Sequence, residues 1–251
     1  MLIETHCHPY LPPLDATSVS VLDQAREAGV GAFIVPAYDV SSWAAVASLA
    51  ETESNVHPAY GLHPWQANQP LDLSELETQL RHPRAIAVGE IGLDTKVDVD
   101  LELQRDVFRA QLALARDLDL PVILHNRGAF EDMAQILQQD GPQPGVLHAF
   151  SRSPDVARMF LDLGLHLGFG GAITHPTAKR PRRSAAAVPL DKILLETDAP
   201  SIGLHNVPAG TSEPRHVVQV AHALAEIREL PFETVAAQTS RNARELFQLP
   251  A

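Results

Sequence analysis

The feature that most constrains this chain is an alternation sustained along its whole length: short β-branched or aliphatic runs, each followed by a stretch with helical spacing. The candidate strands are Leu2 to His6, Gly31 to Pro36, His57 to Gly61, Ala85 to Glu90, Pro121 to His125, Gly145 to His148, His166 to Gly170 and Lys192 to Glu196. They are short and mostly apolar, as parallel strands covered on both faces must be. Between them, Leu103, Val107, Ala110, Leu114 and Leu118 step by three or four, as do Val217, Val220, Leu224 and Ile227, which predicts amphipathic helices. Ser153, Pro154 and Asp155 have the order of an N-cap, a first-turn proline and a first-turn acid, and a last helix is expected from Phe232 towards Phe247. Eight strand-helix units fit an α/β fold, a single (β/α)8 TIM barrel, better than an open doubly wound sheet, because no glycine-rich phosphate loop follows the first strand.

Composition agrees with this reading. The 251 residues are 45% hydrophobic, enough for a sizeable core, and no Gly/Ser-rich linker divides them, so one domain over 1–251 is expected. A net charge of -12 argues against a broad duplex-wrapping surface: any nucleic-acid contact must be local and assisted by cations. The single cysteine, Cys7, excludes an internal disulfide framework. The start has neither a basic nor a long apolar segment, and runs such as Leu120 to Leu124 fall far short of the roughly 20 residues that cross a bilayer. A cytoplasmic protein with no membrane association and no obligate protein partner is the expectation.

A barrel of this kind builds its active site at the C-terminal ends of its strands, so what terminates each apolar run is informative. Strand one ends in His6 and His8, strand three leads into His63, strand four ends in Glu90, strands five and six end in His125 and His148, and strand eight runs into Asp198. Buried ionisable groups must be paired or bound to metal, and so many at one rim point to a metal site. Period two places His6 and His8 on one face, with Cys7 turned away as a buried apolar thiol. Glu90 can bridge two cations through its two oxygens. His6, His8 and Asp198 would complete one metal and His125 with His148 the other, and Asp198 could take a proton from the attacking water. Two divalent ions are expected, and nitrogen and oxygen donors without thiolate suit Zn, Mn or Mg.

The motifs also resemble those of the TatD family of metal-dependent hydrolases over nearly the whole chain. His6-Cys7-His8 is similar to its H-x-H, Gly61-Leu62-His63-Pro64 to its G-x-H-P, and Gly89 to Asp94 reads as its G-E-I-G-L-D. Pro121 to Arg127, His148-Ala149-Phe150-Ser151 and Leu195 to Pro200 resemble its P-V-I-x-H-x-R, H-x-F-S and L-E-T-D-A-P segments. The resemblance implies the same six ligands, His6, His8, Glu90, His125, His148 and Asp198. It also implies that His63 approaches the scissile phosphate as a donor or general acid, and that the activity is that of a deoxyribonuclease, often trimming DNA or RNA from the 3′ end.

The chain departs from the family pattern at Glu4, where aspartate is usual, at Gly170-Gly171 and Ser212-Glu213-Pro214, and at Arg152, where glycine is common. Period two puts Glu4 on the face of His6 and His8, where it orients a ligand or approaches the metals. Arg127, two residues past His125, is the expected phosphate contact, since its fork matches phosphate oxygens. Lys179, Arg180, Arg182 and Arg183 form a basic cluster that either steadies a phosphate backbone or is a solvated helix face. His175 could line the pocket, and Trp65 could stack on a base or pack under its loop. The expected chemistry is hydrolysis of a phosphoester by metal-activated water, DNA ends being the leading substrate. The alternatives are another ester or amide substrate on the same scaffold, such as an aminoacyl-tRNA, and a catalytically silent metal-binding barrel. A strand-four lysine able to carry a carbamate would have favoured amide hydrolysis, but Glu90 occupies that place.

Overall fold

The computed structural model describes residues 1–141 and 143–250. Eight strands run β1 (Leu2–Glu4), β2 (Val30–Pro36), β3 (Val56–Tyr60), β4 (Ala87–Asp94), β5 (Val122–Arg127), β6 (Gly145–Leu147), β7 (His166–Phe169) and β8 (Ile193–Leu195). The helices are α1 (Ser18–Glu27), α2 (Trp43–Thr52), α3 (Leu73–Leu80), α4 (Leu101–Asp117), α5 (Phe130–Asp140), α6 (Pro154–Leu161), α7 (Lys179–Ala187), α8 (Val217–Arg228) and α9 (Phe232–Phe247). All neighbouring strands pair in parallel in the order β1 to β8. The seam between β8 and β1 is joined just beyond the strands, by Thr5 N–H to Leu195 O at 3.1 Å and by a parallel bridge between Cys7 and Ala199. This is the expected (β/α)8 barrel.

Two apolar layers hold it. Ile3, Ile34, Ala59, Ala87, Ile123, Val146 and Leu194 face the barrel axis and meet Ala243, Leu246, Phe247 and Leu249 from the α9 end, which plugs the bottom. Phe33, Val35, Val88, Leu124, Leu147, Leu167 and Leu195 face outward into the larger layer beneath the helices. Strand period two then carries the inward face upward, from Ile123 to His125, from Val146 to His148 and from Leu194 to Glu196 and Asp198. The apolar floor therefore becomes a polar mouth at the C-terminal ends of the strands.

Two strands break that period. β1 stops at Glu4, so His6 and His8 lie beyond it, and β4 continues four residues past Glu90 with a register shift against β5 between Val88 and Ile91. The inward step is three residues in both: from Ile3 to His6, where the ladder with β2 has ended at Glu4, and from Ala87 to Glu90, where the irregular ladder with β5 lets an extra residue re-aim the chain. The predicted face of α4 is also corrected. Of the predicted positions Leu114 is buried, but Leu103 is 38% exposed, and the buried face is otherwise made by Gln104, Phe108, Gln111, Leu112 and Ala115. Gln104 and Gln111 are buried because they satisfy strand ends: Gln111 holds the Leu62 N–H and C=O at 2.7 and 3.2 Å, and Gln104 holds those of Asp94 at 2.8 and 3.0 Å. Ser153 precedes Pro154 at the start of α6 but makes no side-chain cap bond. Among the described residues, no helix is long and apolar enough to cross a membrane.

Candidate metal centre

The strand-end residues meet in one cluster around Glu90, which is 3% exposed. Its Oε2 lies 3.1 Å from His6 Nε2 and 3.7 Å from His8 Nε2, and Asp198 Oδ1 closes that side at 3.3 Å from His8 and 3.7 Å from His6. Its Oε1 faces another set: His148 Nε2 at 2.8 Å, His125 Nδ1 at 2.9 Å and His63 Nε2 at 3.2 Å. His63 thus joins the cluster directly, beside the six residues expected to be ligands.

Several contacts aim the lone pairs inward. His8 Nδ1 meets Pro36 O at 3.1 Å, so the ring N–H is turned to a backbone carbonyl and Nε2 keeps its lone pair for the centre. His125 is turned the other way round: its Nε2 meets Asp94 Oδ2 at 3.2 Å and its Nδ1 faces the cluster. Asp94 is fixed in turn by Trp65 Nε1–H at 2.5 Å and by the Lys96 N–H at 2.7 Å. Two imidazole nitrogens, His6 Nε2 and His8 Nε2, stand 3.1 Å apart with carboxylate oxygens beside both. Nitrogens pre-oriented by outer hydrogen bonds and converging with buried carboxylates form a donor set that fits divalent cations.

The electrostatics agree. Burial alone would raise the Glu90 carboxyl, but the surrounding imidazoles, His148 foremost, hold it well below the usual carboxylate range. Burial opposes ionisation of Asp198 as well, and its bond to His8 lowers it nonetheless. Burial would lower His148 and His8, but Glu90 raises the first and Asp198 the second. His63 is pushed down to about 4 by burial, and its Nδ1 accepts the Trp65 N–H at 3.2 Å. Its neutral tautomer therefore carries a proton on Nε2.

Glu4 lies beneath rather than among these groups. It is fully buried, and its Oε1 accepts the N–H of His6 and of Thr197, both at 3.0 Å, tying β1 to β8. Burial raises its carboxyl well above the ordinary value. It orients a candidate ligand through the backbone, one of its two expected roles, although the broken period of β1 keeps it off the face of His6. Glu196 was not singled out from the sequence, yet its Oε1 accepts the Ala149 N–H at 2.5 Å and lies 3.6 Å from His148 Nδ1. Asp94, Gln104 and Gln111 were missed too: a buried glutamine looks like a surface residue until its partner is known. Ala149 and Asp198 adopt left-handed φ values of 49° and 52°, a conformation L-residues rarely take outside constrained sites.

The cluster opens into a cavity of about 490 Å³ whose lining includes Tyr38, Trp65, Arg127, Phe130, Phe150 and Arg152. Trp65 is 39% exposed, packs edgewise against His63 and lines the pocket. Arg127 is exposed at the rim, as expected. The basic cluster of α7 does not line this cavity, and Arg182 is bound to Glu226 at 2.6 Å and to Ile173 O at 3.0 Å. His175 stacks edgewise on His205 with centroids 5.8 Å apart and also lies outside the pocket.

A barrel of this topology with imidazoles and carboxylates gathered at its mouth has the architecture of a metal-dependent hydrolase. The family model described as TatD related DNase matches residues 3–248, and the chain belongs to that family of metal-dependent hydrolases. It is 39% identical over 254 residues to the uncharacterized metal-dependent hydrolase YjjV of Escherichia coli strain K12, covering 99% of this chain and 98% of that one. Identity to YabD of Bacillus subtilis strain 168, also named an uncharacterized metal-dependent hydrolase, is 34% over 254 residues, covering 99% and 100%. The crystal structure of YjjV superposes with a TM-score of 0.93 at 38% identity over 99% of this chain and 98% of that one. A TatD family hydrolase from Entamoeba histolytica shares the fold, with a TM-score of 0.87 at 18% identity over 98% and 97% of the two chains.

Proposed function

We propose that this protein hydrolyses phosphoester bonds, with DNA ends as its substrate, at a centre of two divalent cations of the Zn, Mn or Mg kind. The observation that carries the reading is the split of Glu90: one carboxylate oxygen faces His6, His8 and the Asp198 side, and the other faces His125 and His148. The first group with Glu90 would hold one cation, and the second with Glu90 the other. The bound cations would supply positive charge to the non-bridging phosphate oxygens and lower the pKa of the attacking water.

The chain's own residues supply the rest. Asp198 lines the cavity, its side chain 12% exposed, where it can accept a proton from water as the ester is attacked. His63 offers Nε2–H, because its Nδ1 is engaged by the Trp65 N–H, and so it donates to the leaving oxygen. Arg127 lines the rim, where its fork suits a phosphate oxygen elsewhere along the strand than the ester being cut. Tyr38, Trp65 and Phe150 give flat apolar walls suited to a nucleobase or sugar. A protein of net charge -12 can still bind the one phosphate it cuts, because the positive charge is local.

The test is incubation of metal-reconstituted protein with 5′-end-labelled single- and double-stranded DNA beside Asp198→Ala. A ladder shortening from the 3′ end with wild type alone supports the proposal. Equal products from both proteins overturn it.

A further inference from the structure

Arg26, Arg81, Arg105, Arg109, Arg182 and Arg215 each pair with a carboxylate, as the excess of acid makes easy. Among the arginines without a carboxylate partner in the described residues, Arg127 and Arg152 are the two that line the cavity above the candidate metal centre. They arrive from different elements. Arg127 ends β5, and its carbonyl accepts the Thr95 N–H at 2.8 Å. Arg152 sits in the loop between β6 and α6, and its carbonyl accepts Ser184 Oγ at 2.5 Å from a fully buried serine.

The Arg152 side chain is also held. Its guanidinium carbon lies 4.8 Å from the centroid of the Phe130 ring, and Phe130 packs edgewise on Phe160 at 6.3 Å. A guanidinium stacked on an aromatic face keeps its in-plane N–H donors free, and their fork matches an oxyanion. Its freedom is reduced before any ligand arrives, so less entropy is lost on binding.

We propose that Arg152 and Arg127 form an anion subsite for a second phosphate, one nucleotide removed from the ester being cut, so that the preferred substrate carries at least two phosphates. This rests on the phosphoester reading above and deepens it. The second phosphate is either the next diester of a polymer or a terminal phosphate, which have the oxyanion chemistry in common.

The experiment compares kcat/KM on three ligands: a thymidine dinucleotide with one internal phosphate, the same dinucleotide with a 5′-terminal phosphate, and the trinucleotide with two internal phosphates. Wild type, Arg152→Gln and Arg127→Gln are measured with metal, and equilibrium binding of the same ligands is measured by fluorescence anisotropy in EDTA. Each substitution should reduce the advantage of the two-phosphate ligands over the one-phosphate ligand by about tenfold, the change matching a lost contact of roughly 1.4 kcal/mol. Which two-phosphate ligand gains distinguishes a terminal from an internal phosphate. Equal kcat/KM on all three with wild type, or the same proportional loss on all three in both variants, overturns the subsite. Should wild type cut none of them, the phosphoester reading falls and binding decides the subsite separately: tighter trinucleotide binding abolished by both substitutions retains it, and equal affinities overturn it.

Discussion

Gly168 lies one residue before the end of β7, and adding a methyl group there tests the polar layer beneath the candidate metal centre. A Cβ at this position would stand 2.3 Å from Glu196 Oε2, 3.0 Å from its carboxyl carbon and 3.2 Å from His148 Cα. Glu196 cannot simply swing aside, since it is 1% exposed and its other oxygen holds the Ala149 N–H. Gly168→Ala must therefore push the carboxylate off Ala149 or force β7 from β8. Overpacking costs about 1–3 kcal/mol, and weakening a charge-assisted bond adds to it, so we expect a loss of about 2–4 kcal/mol. For a chain of this size that is a drop in Tm of roughly 4–16 °C. The assay is a double-mutant cycle of Gly168→Ala and Glu196→Ala, with unfolding free energies from urea titration. Truncating Glu196 removes the obstacle, so Gly168→Ala should cost at least about 1 kcal/mol less in that background. Independent sites add within about 0.5 kcal/mol. Costs that add within that margin would refute the contact and the reasoning from it.

Other expectations follow from the same geometry. Glu90→Gln should lower the bound-metal stoichiometry measured by plasma mass spectrometry and reduce hydrolysis at least about a hundredfold, since several kcal/mol of charge stabilisation is at stake; unchanged metal content would contradict the bridging role. Trp65→Phe keeps a ring but removes the Nε1–H that steadies Asp94 behind His125, and should weaken metal affinity about tenfold in a competition titration. His166, away from the site on β7, is held down to about 4 by burial and by Lys192, with its Nδ1 unpartnered. A depressed histidine favours the fold in its neutral form, so stability is full above the unfolded value near 6.5 and declines as pH falls from there through about 4. His166→Gln should reduce the stability lost between pH 7 and pH 5 by about 1 kcal/mol, after a discount for partial exposure; identical pH profiles in urea denaturation would contradict this.

Much of the molecule was legible before any coordinates. The alternation of apolar runs and helical spacing specified eight parallel strands, and the histidines and acids that end those runs are the groups that meet at the barrel mouth. Cys7 turned away from its neighbours and is fully buried, as period two required. Such features are local: a strand exposes alternate residues to opposite faces whatever it pairs with.

What stayed hidden depends on partners distant in the chain. The extra residue between Ala87 and Glu90 changes which side chain enters the barrel, yet it shows only as a register shift against β5. Gln104 and Gln111 gave no signal in the sequence because their partners, the backbone near Asp94 and Leu62, lie on other elements. Glu4 and Glu196 took their places in the same way, one clamping His6 to Thr197 and the other supporting His148. Periodicity tells which face a residue occupies, because that is settled within a few bonds. How deep it lies and what its polar atoms touch is settled by closure of the barrel, which brings together groups as far apart in the chain as Glu4 and Thr197, 193 positions from each other.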